Sequence, residues 1–306
     1  MASGGGTKAV VAALSANLSI AVMKFLAFAL TASSSMLAEA IHSVADSGNQ
    51  VLLLIGGRRS RKQADREHPF GYGRERYMYA FIVSIVLFSV GGLFALFEAW
   101  EKFKDPHGIE GAWWWVPLAV LVGAIIAEGL SFRTAIKESA HDRGDQSWVA
   151  FIRNAKKPEL PVILLEDFGA LIGLVFALFG VSLTLVTGNG IWDAAGTAMI
   201  GLLLVVIAAV LAIETSSLLL GESATKADVA KIEAAIASDG TRVIHLRTMH
   251  LGPEELLVGA KISVARGASG AEIARSIDDA EARIRGAVPT ARVIYLEPDI
   301  QRVDPS

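Results

Sequence analysis

The chain has 306 residues, 53% of them hydrophobic and 19% charged, with a net charge of −3 and no cysteine. That balance excludes disulfide frameworks and thiolate metal sites, and the lack of a basic face or aromatic platform outside short loops excludes a nucleic-acid binder. Long apolar blocks alternate with short charged stretches up to about residue 220, the pattern of a polytopic membrane protein, and the rest has the composition of a soluble domain.

The start, MASGGGTKAV, lacks the charged head and cleavage site of a signal peptide, so the first apolar run is expected to span a bilayer and stay. Six blocks are long enough to cross, at 10–31, 34–57, 76–100, 114–135, 162–186 and 192–217. Each is expected to be a helix, because a spanning segment must satisfy its own backbone. The join between blocks two and three carries Arg58, Arg59, Arg61, Lys62, Arg66, Arg74 and Arg76. The join between four and five carries Arg133, Lys137, Arg143, Arg153, Lys156 and Lys157. Basic joins belong on the cytoplasmic side, which leaves both termini in the cytoplasm and places Trp113, Trp114 and Trp115 at the opposite interface.

Block one contains Lys24, which is expected to pair with an acid in the bundle or to snorkel. Block two contains LAEAIHSVADSGNQ, residues 37–50. On a helix, His42 and Asp46 share a face, with Glu39 and Asn49 close to the same stripe. An aspartate in mid-membrane costs roughly 2.5–3.5 kcal/mol on insertion scales. A divalent cation held by the carboxylate and a neutral imidazole would offset that cost. The plainer alternative is that the two side chains bond each other or a neighbouring helix. Block five opens with LPVILLEDFGALIG, where Glu166 and Asp167 lie about 100° apart on a helix, so only one is expected to face His42. A helix that starts before Val162 and accommodates Pro158 and Pro161 would bring these acids deeper. Asp193, at the head of block six, is expected to cap a helix rather than to ligate. Glu98, Glu128 and Glu214 fall near block ends and are expected to be structural.

After Gly221 the pattern changes. TKADVAKIEAAIAS has helical spacing, TRVIHLRTMHLG and ELLVGAKISVA read as strands around a Gly252–Pro253 turn, GAEIARSIDDAEARIRGA is an amphipathic helix, and ARVIYLEP is a last strand. The order αββαβ makes a small α+β unit. His245 and His250 differ by five in one strand and so face opposite sides. His107 and His141 read as solvated loop residues.

HSVAD in block two, EHPFGYGRERYMYA before block three, WDAAGTAMIG at the head of block six and the αββαβ tail together resemble the cation diffusion facilitator family. The likeness covers nearly the whole chain. LLEDFGA and RERYMY are similar to the subgroup of the ninth human zinc transporter and its bacterial relatives. The resemblance implies a six-span all-α transmembrane domain at 1–220, followed by a ferredoxin-like cytoplasmic domain at 221–306. It implies a homodimeric exporter of divalent metal, usually Zn²⁺, in exchange for protons. It also implies residence in the plasma, or inner, membrane for a bacterial chain. No cofactor is expected, since the metal is the cargo, and no catalysis.

The family's transport site takes two ligands each from spans two and five. His42 and Asp46 match the first pair. Val162 and Ile163 stand where the family has an upstream His or Asp, so Glu166 or Asp167 supplies the surviving carboxylate. The set is then completed by both acids, by Asn49 or by a water, and an oxygen-rich set also suits iron, manganese or cobalt. In the loop before span three, Asp65 and His68 match two of three metal-binding positions found in some relatives, and Tyr72 stands at the third. Two other functions fit the sequence less well: a proton-coupled antiporter of organic cations, and a membrane-anchored regulatory or scaffold protein with a binding tail.

Overall fold

The computed structural model describes residues 3–300 apart from Glu110 and Asp239, with the backbone alone for residues 3–16 and His141. The reading of His141 therefore lies outside the described side chains. The chain divides into two compact units, Met1–Gly56 with Tyr79–Thr215, and Gly57–Met78 with Ser216–Ser306.

The first unit is helical. In chain order it draws on α1 (Ser3–Thr31), α2 (Ser34–Arg59), α3 (Glu75–Val86), a π-helical segment (Leu87–Leu93), α4 (Phe94–Lys104), α5 (Val116–Arg143), α6 (Trp148–Asn154), α7 (Glu159–Thr187) and α8 (Ile191–Leu220). A helix falls on each of the six apolar blocks. Among the described residues, four are long and apolar enough to cross a membrane: the continuous Glu75–Lys104 helix, Val116–Ala140, α7 and α8, with Asn17–Thr31 a shorter apolar stretch. Helix α2 falls short because its polar stripe lowers its hydropathy. The core of this unit includes Met36 and Leu53 of α2 with Val83, Leu87, Leu121, Leu174, Ile200 and Leu204, all buried. The outward faces of these helices are apolar as well, with Leu26, Phe97, Ile126, Phe179, Leu202 and Ile213 exposed. Apolar residues on the outside as well as the inside suit a lipid environment.

Helix α7 starts at Glu159, three residues before the expected block, with Pro158 as its N-cap and Pro161 inside the first turn. Proline is tolerated there because the first-turn N–H groups have no helical partner. The earlier start puts Glu166 and Asp167 two turns inside the helix.

The second unit contains α9 (Lys226–Ala237), β1 (Val243–Gly252), β2 (Glu255–Ser263), α10 (Gly270–Ala287) and β3 (Ala291–Asp299). The strands lie in the order β1-β2-β3. β1 and β2 are antiparallel, while β2 and β3 are parallel and joined through α10. Strand β2 alternates as a half-buried strand should, with Leu256, Val258, Ala260 and Ile262 turned into a core that includes Ile232, Ile236 and Ile284 from the two helices. Thr225 caps α9, and Ser269 with Glu272 forms a capping box at α10. This is the expected αββαβ sequence of elements.

Candidate functional site

Ser33 starts α2, accepting a hydrogen bond from the Met36 N–H at 3.3 Å, and Arg58 and Arg59 close it. Between these ends the polar stripe turns inward. Glu39, His42 and Asn49 are buried, and Asp46 is mostly so. The His42 Nδ1 lies 3.4 Å from Asp46 Oδ1, one turn further along. Neither ring nitrogen of His42 has a hydrogen-bond partner, and the same holds for Asp46 Oδ1 and Asn49 Oδ1. Four buried polar atoms on two turns of one helix are thus left without partners, an arrangement that costs free energy unless something satisfies it.

Helix α7 faces this stripe. Asn49 Nδ2 donates to Glu166 Oε1 at 2.6 Å, which brings Glu166, itself buried, onto the stripe. Asp167 turns the other way and accepts a hydrogen bond from Ser131 of α5 at 2.9 Å. The 100° between neighbours thus separates the two acids, with Glu166 toward α2 and Asp167 toward α5. Glu128 lies one turn before Ser131 on the same face of α5, within electrostatic range of Asp46 and Asp167. The sequence had placed Glu128 at a block end. The signal available was its spacing of three from Ser131. Among the described residues, no three His, Asp or Glu side chains already stand together in a geometry that could hold a metal ion.

Lys24 pairs with an acid, as its apolar setting requires. Its Nζ donates to Glu39 Oε2 at 3.0 Å and to Ser43 Oγ at 2.7 Å. On the π-helical segment, Gly91 stands beside the histidine: a Cβ placed there would lie 3.8 Å from His42 Nδ1 and 3.2 Å from Leu204 Cδ1.

Asp193 does cap a helix, but the helix is α2 rather than its own α8. Its Oδ2 accepts from the Ser34 N–H at 2.7 Å and the Ser34 hydroxyl at 3.2 Å. Its Oδ1 accepts from the Ser33 hydroxyl at 2.9 Å and the Ser35 N–H at 3.3 Å. The Asp193 N–H donates to Thr184 Oγ1 of α7 at 2.9 Å. Lys102 of α4 donates to the carbonyl of Ala32, whose φ of +50° makes the turn between α1 and α2. Asp193 of α8 therefore clasps the head of α2, Lys102 of α4 holds the turn before it, and Thr184 of α7 fixes Asp193. The run Ser33-Ser34-Ser35 was the available sequence signal.

In the second unit, Asp65 is occupied by its own loop. Its Oδ1 accepts from the N–H groups of Glu67 and His68, and its Oδ2 accepts from the Tyr72 hydroxyl at 2.7 Å. These bonds, the Tyr72 hydroxyl foremost, hold the Asp65 carboxyl below its ordinary range and push the Tyr72 phenol up. Gly71, at φ +77°, makes the turn, and Gly73 lets the loop approach the Leu251 carbonyl. In the tail, His245 is exposed opposite Lys261 and His250 is buried, on opposite faces of β1 as its period demands.

Residues 10–220 match the family model described as the cation efflux transmembrane domain. The chain is 33% identical over 245 residues to the proton-coupled zinc antiporter SLC30A9, mitochondrial, of Mus musculus, covering 79% of this chain and 43% of that protein. It is 28% identical over 237 residues to metal tolerance protein C4 of Arabidopsis thaliana, covering 76% and 51%. It is 34% identical over 124 residues to the magnetosome protein MamM of Paramagnetospirillum magneticum, covering 39% and 36%. The chain thus spans about half the length, or less, of these curated relatives.

Proposed function

The chain belongs to the cation efflux, or cation diffusion facilitator, family, and we propose that it is a secondary transporter exporting a divalent metal cation, Zn²⁺ foremost, from the cytoplasm in exchange for protons. The observation that carries this reading is the buried stripe of α2, where the His42 nitrogens and Asp46 Oδ1 lack partners and Glu166 is drawn in from α7. The names of the antiporter relatives support the cargo and the counter-ion.

In this reading α1, α2, the Glu75–Lys104 helix, α5, α7 and α8 are six spans. Residues 1–220 form the transport domain, and residues 221–306 form a ferredoxin-like cytoplasmic tail. The basic joins put both termini in the cytoplasm, and the working unit is a homodimer. His42, Asp46 and Glu166 take the ion, Asn49 orients Glu166, and Ser131 holds Asp167 aside as the reserve carboxylate. An imidazole must be neutral and a carboxylate ionised to hold metal, so protons on the far side compete for the same atoms and favour release. Only binding and reorientation are required, so the chain needs no catalytic group.

Isothermal titration of the detergent-purified chain with Zn²⁺ tests the site. His42→Ala and Asp46→Ala are each expected to weaken binding at least tenfold. Unchanged affinity in both would remove the foundation of the proposal. Uptake into proteoliposomes under an imposed pH gradient, with Zn²⁺, Mn²⁺ and Co²⁺ compared, tests exchange and selectivity. Transport of an organic cation, with no metal uptake, would overturn the metal reading.

A further inference from the structure

Lys24 and Glu39 are the most deeply buried ion pair described in the helical unit, 1% and 0% exposed. The ammonium donates to three oxygens: Glu39 Oε2 at 3.0 Å, Ser43 Oγ at 2.7 Å and the Glu39 carbonyl at 3.5 Å. The second carboxylate oxygen, Glu39 Oε1, is buried and has no hydrogen-bond partner. It points at α7, where Gly173 makes room for it: a Cβ on Gly173 would fall 2.8 Å from Oε1. Glu39 is one turn from His42, and Ser43 is its direct neighbour, so this oxygen cage adjoins the turn assigned above to the transported ion.

A buried ion pair rarely stabilises a fold more than apolar side chains of the same volume would, because both charges lose their hydration. Its persistence beside the α2 stripe therefore calls for a role other than stability. We infer that Glu39 and Ser43 form a second cation station on the stripe, filled by the chain's own Lys24 ammonium, so that Glu39 is kept out of the transported ion's ligand set. The last clause rests on the transport reading, whereas the station itself rests on the contacts of Lys24. Oxygen donors of this kind suit a compact hard cation, either a primary ammonium or a divalent ion such as Mn²⁺ that keeps waters in its remaining positions.

Removing the tethered cation should open the station to a free one. The full chain in detergent is dialysed against Mn²⁺, and the bound ion is counted by electron paramagnetic resonance. Lys24→Ala is expected to bind one more Mn²⁺ per chain than the wild type. The additional ion should persist when His42→Ala is added, disappear in Lys24→Ala/Glu39→Gln, and be displaced by ethylammonium, which replaces the missing end of the side chain. A folded Lys24→Ala chain with the wild-type count would overturn the inference, as would an extra ion that survives Glu39→Gln. The His42→Ala variant with Lys24 intact reports separately on the transport site: loss of no ion there defeats that reading and leaves the station standing. If Lys24→Ala does not fold, Lys24→Met, which fills the same space without the charge, carries the same Mn²⁺ count. An extra ion lost in Lys24→Met/Glu39→Gln is expected, and a folded Lys24→Met chain with the wild-type count would overturn the inference.

Discussion

Helix α2 carries two buried polar regions separated by about 12 Å of helix, and their hydrogen-bond balances are opposite. At its head, the Asp193 carboxylate accepts from two N–H groups and two hydroxyls. Two turns on, His42 has both nitrogens without a partner and Asp46 has one such oxygen. A saturated cluster has one arrangement and holds a helix in place. An unsaturated one has capacity left for a ligand. The difference separates the part of α2 that anchors from the part proposed above to bind, although both are buried and polar.

Substitution can break that contrast, and the largest effect belongs to the clasp. Asp193→Ala leaves buried donors on Ser34 and Ser35 unmet. It is expected to lower stability by about 2–4 kcal/mol through the lost cap and the unmet donors, seen as an early unfolding transition or loss of a monodisperse peak in detergent. His42→Ala removes a buried ring that makes no hydrogen bond in the fold, its one ion-pair contact being Nδ1 to Asp46 Oδ1 at 3.4 Å. The cavity it leaves is expected to lower the unfolding temperature less than Asp193→Ala does, while the variant shows the roughly tenfold or greater loss of Zn²⁺ affinity, which is about 1.4 kcal/mol or more. If His42→Ala unfolds the chain as Asp193→Ala does, the two regions do not differ in kind. Ser131→Ala should cost about 1 kcal/mol of stability and free Asp167. Combined with Glu166→Gln, it should restore part of the metal affinity that Glu166→Gln loses alone.

The smallest effect is at the loop carboxylate Asp65, which is satisfied like Asp193 but exposed. Its pKa is held down in the folded chain. Its contribution to loop order is therefore complete above the ordinary carboxylate value of about 3.9 and is lost as pH falls through the lower folded value. Amide hydrogen exchange across 65–72 should stay protected at pH 5 and lose protection only below that ordinary value. Tyr72→Phe should move the loss upward in pH. Protection that fades already between pH 6 and 5 would contradict the contacts of Asp65.

Much of this was legible in the sequence because it follows from period and spacing. Apolar length located all six long helices, and the i, i+4 spacing put His42 and Asp46 on one face. The Gly252–Pro253 turn and the alternation in ELLVGAKISVA located β1 and β2. What required the structure was every contact between helices. Which of Glu166 and Asp167 meets α2 depends on how α7 is rotated against α2 and α5, which the apolar run does not reveal. The partner of Lys24 lies 15 residues away on another helix, and the helix capped by Asp193 lies about 160 residues away. The parallel pairing of β2 with β3 is likewise a crossover choice that alternation leaves open.

The π-helical stretch at Leu87–Leu93 has one last implication. Wide turns of this kind accommodate an extra residue per turn without ending the helix, so α3 and α4 face their own neighbours on either side of it. The Glu75–Lys104 helix is therefore asymmetric in its tolerance of length change. Deleting a single residue inside 87–93 would tighten the stretch toward ordinary helix and preserve both faces. The same deletion in α3 or α4 would rotate everything beyond it by about 100° and carry Gly91 or Lys102 away from its partner.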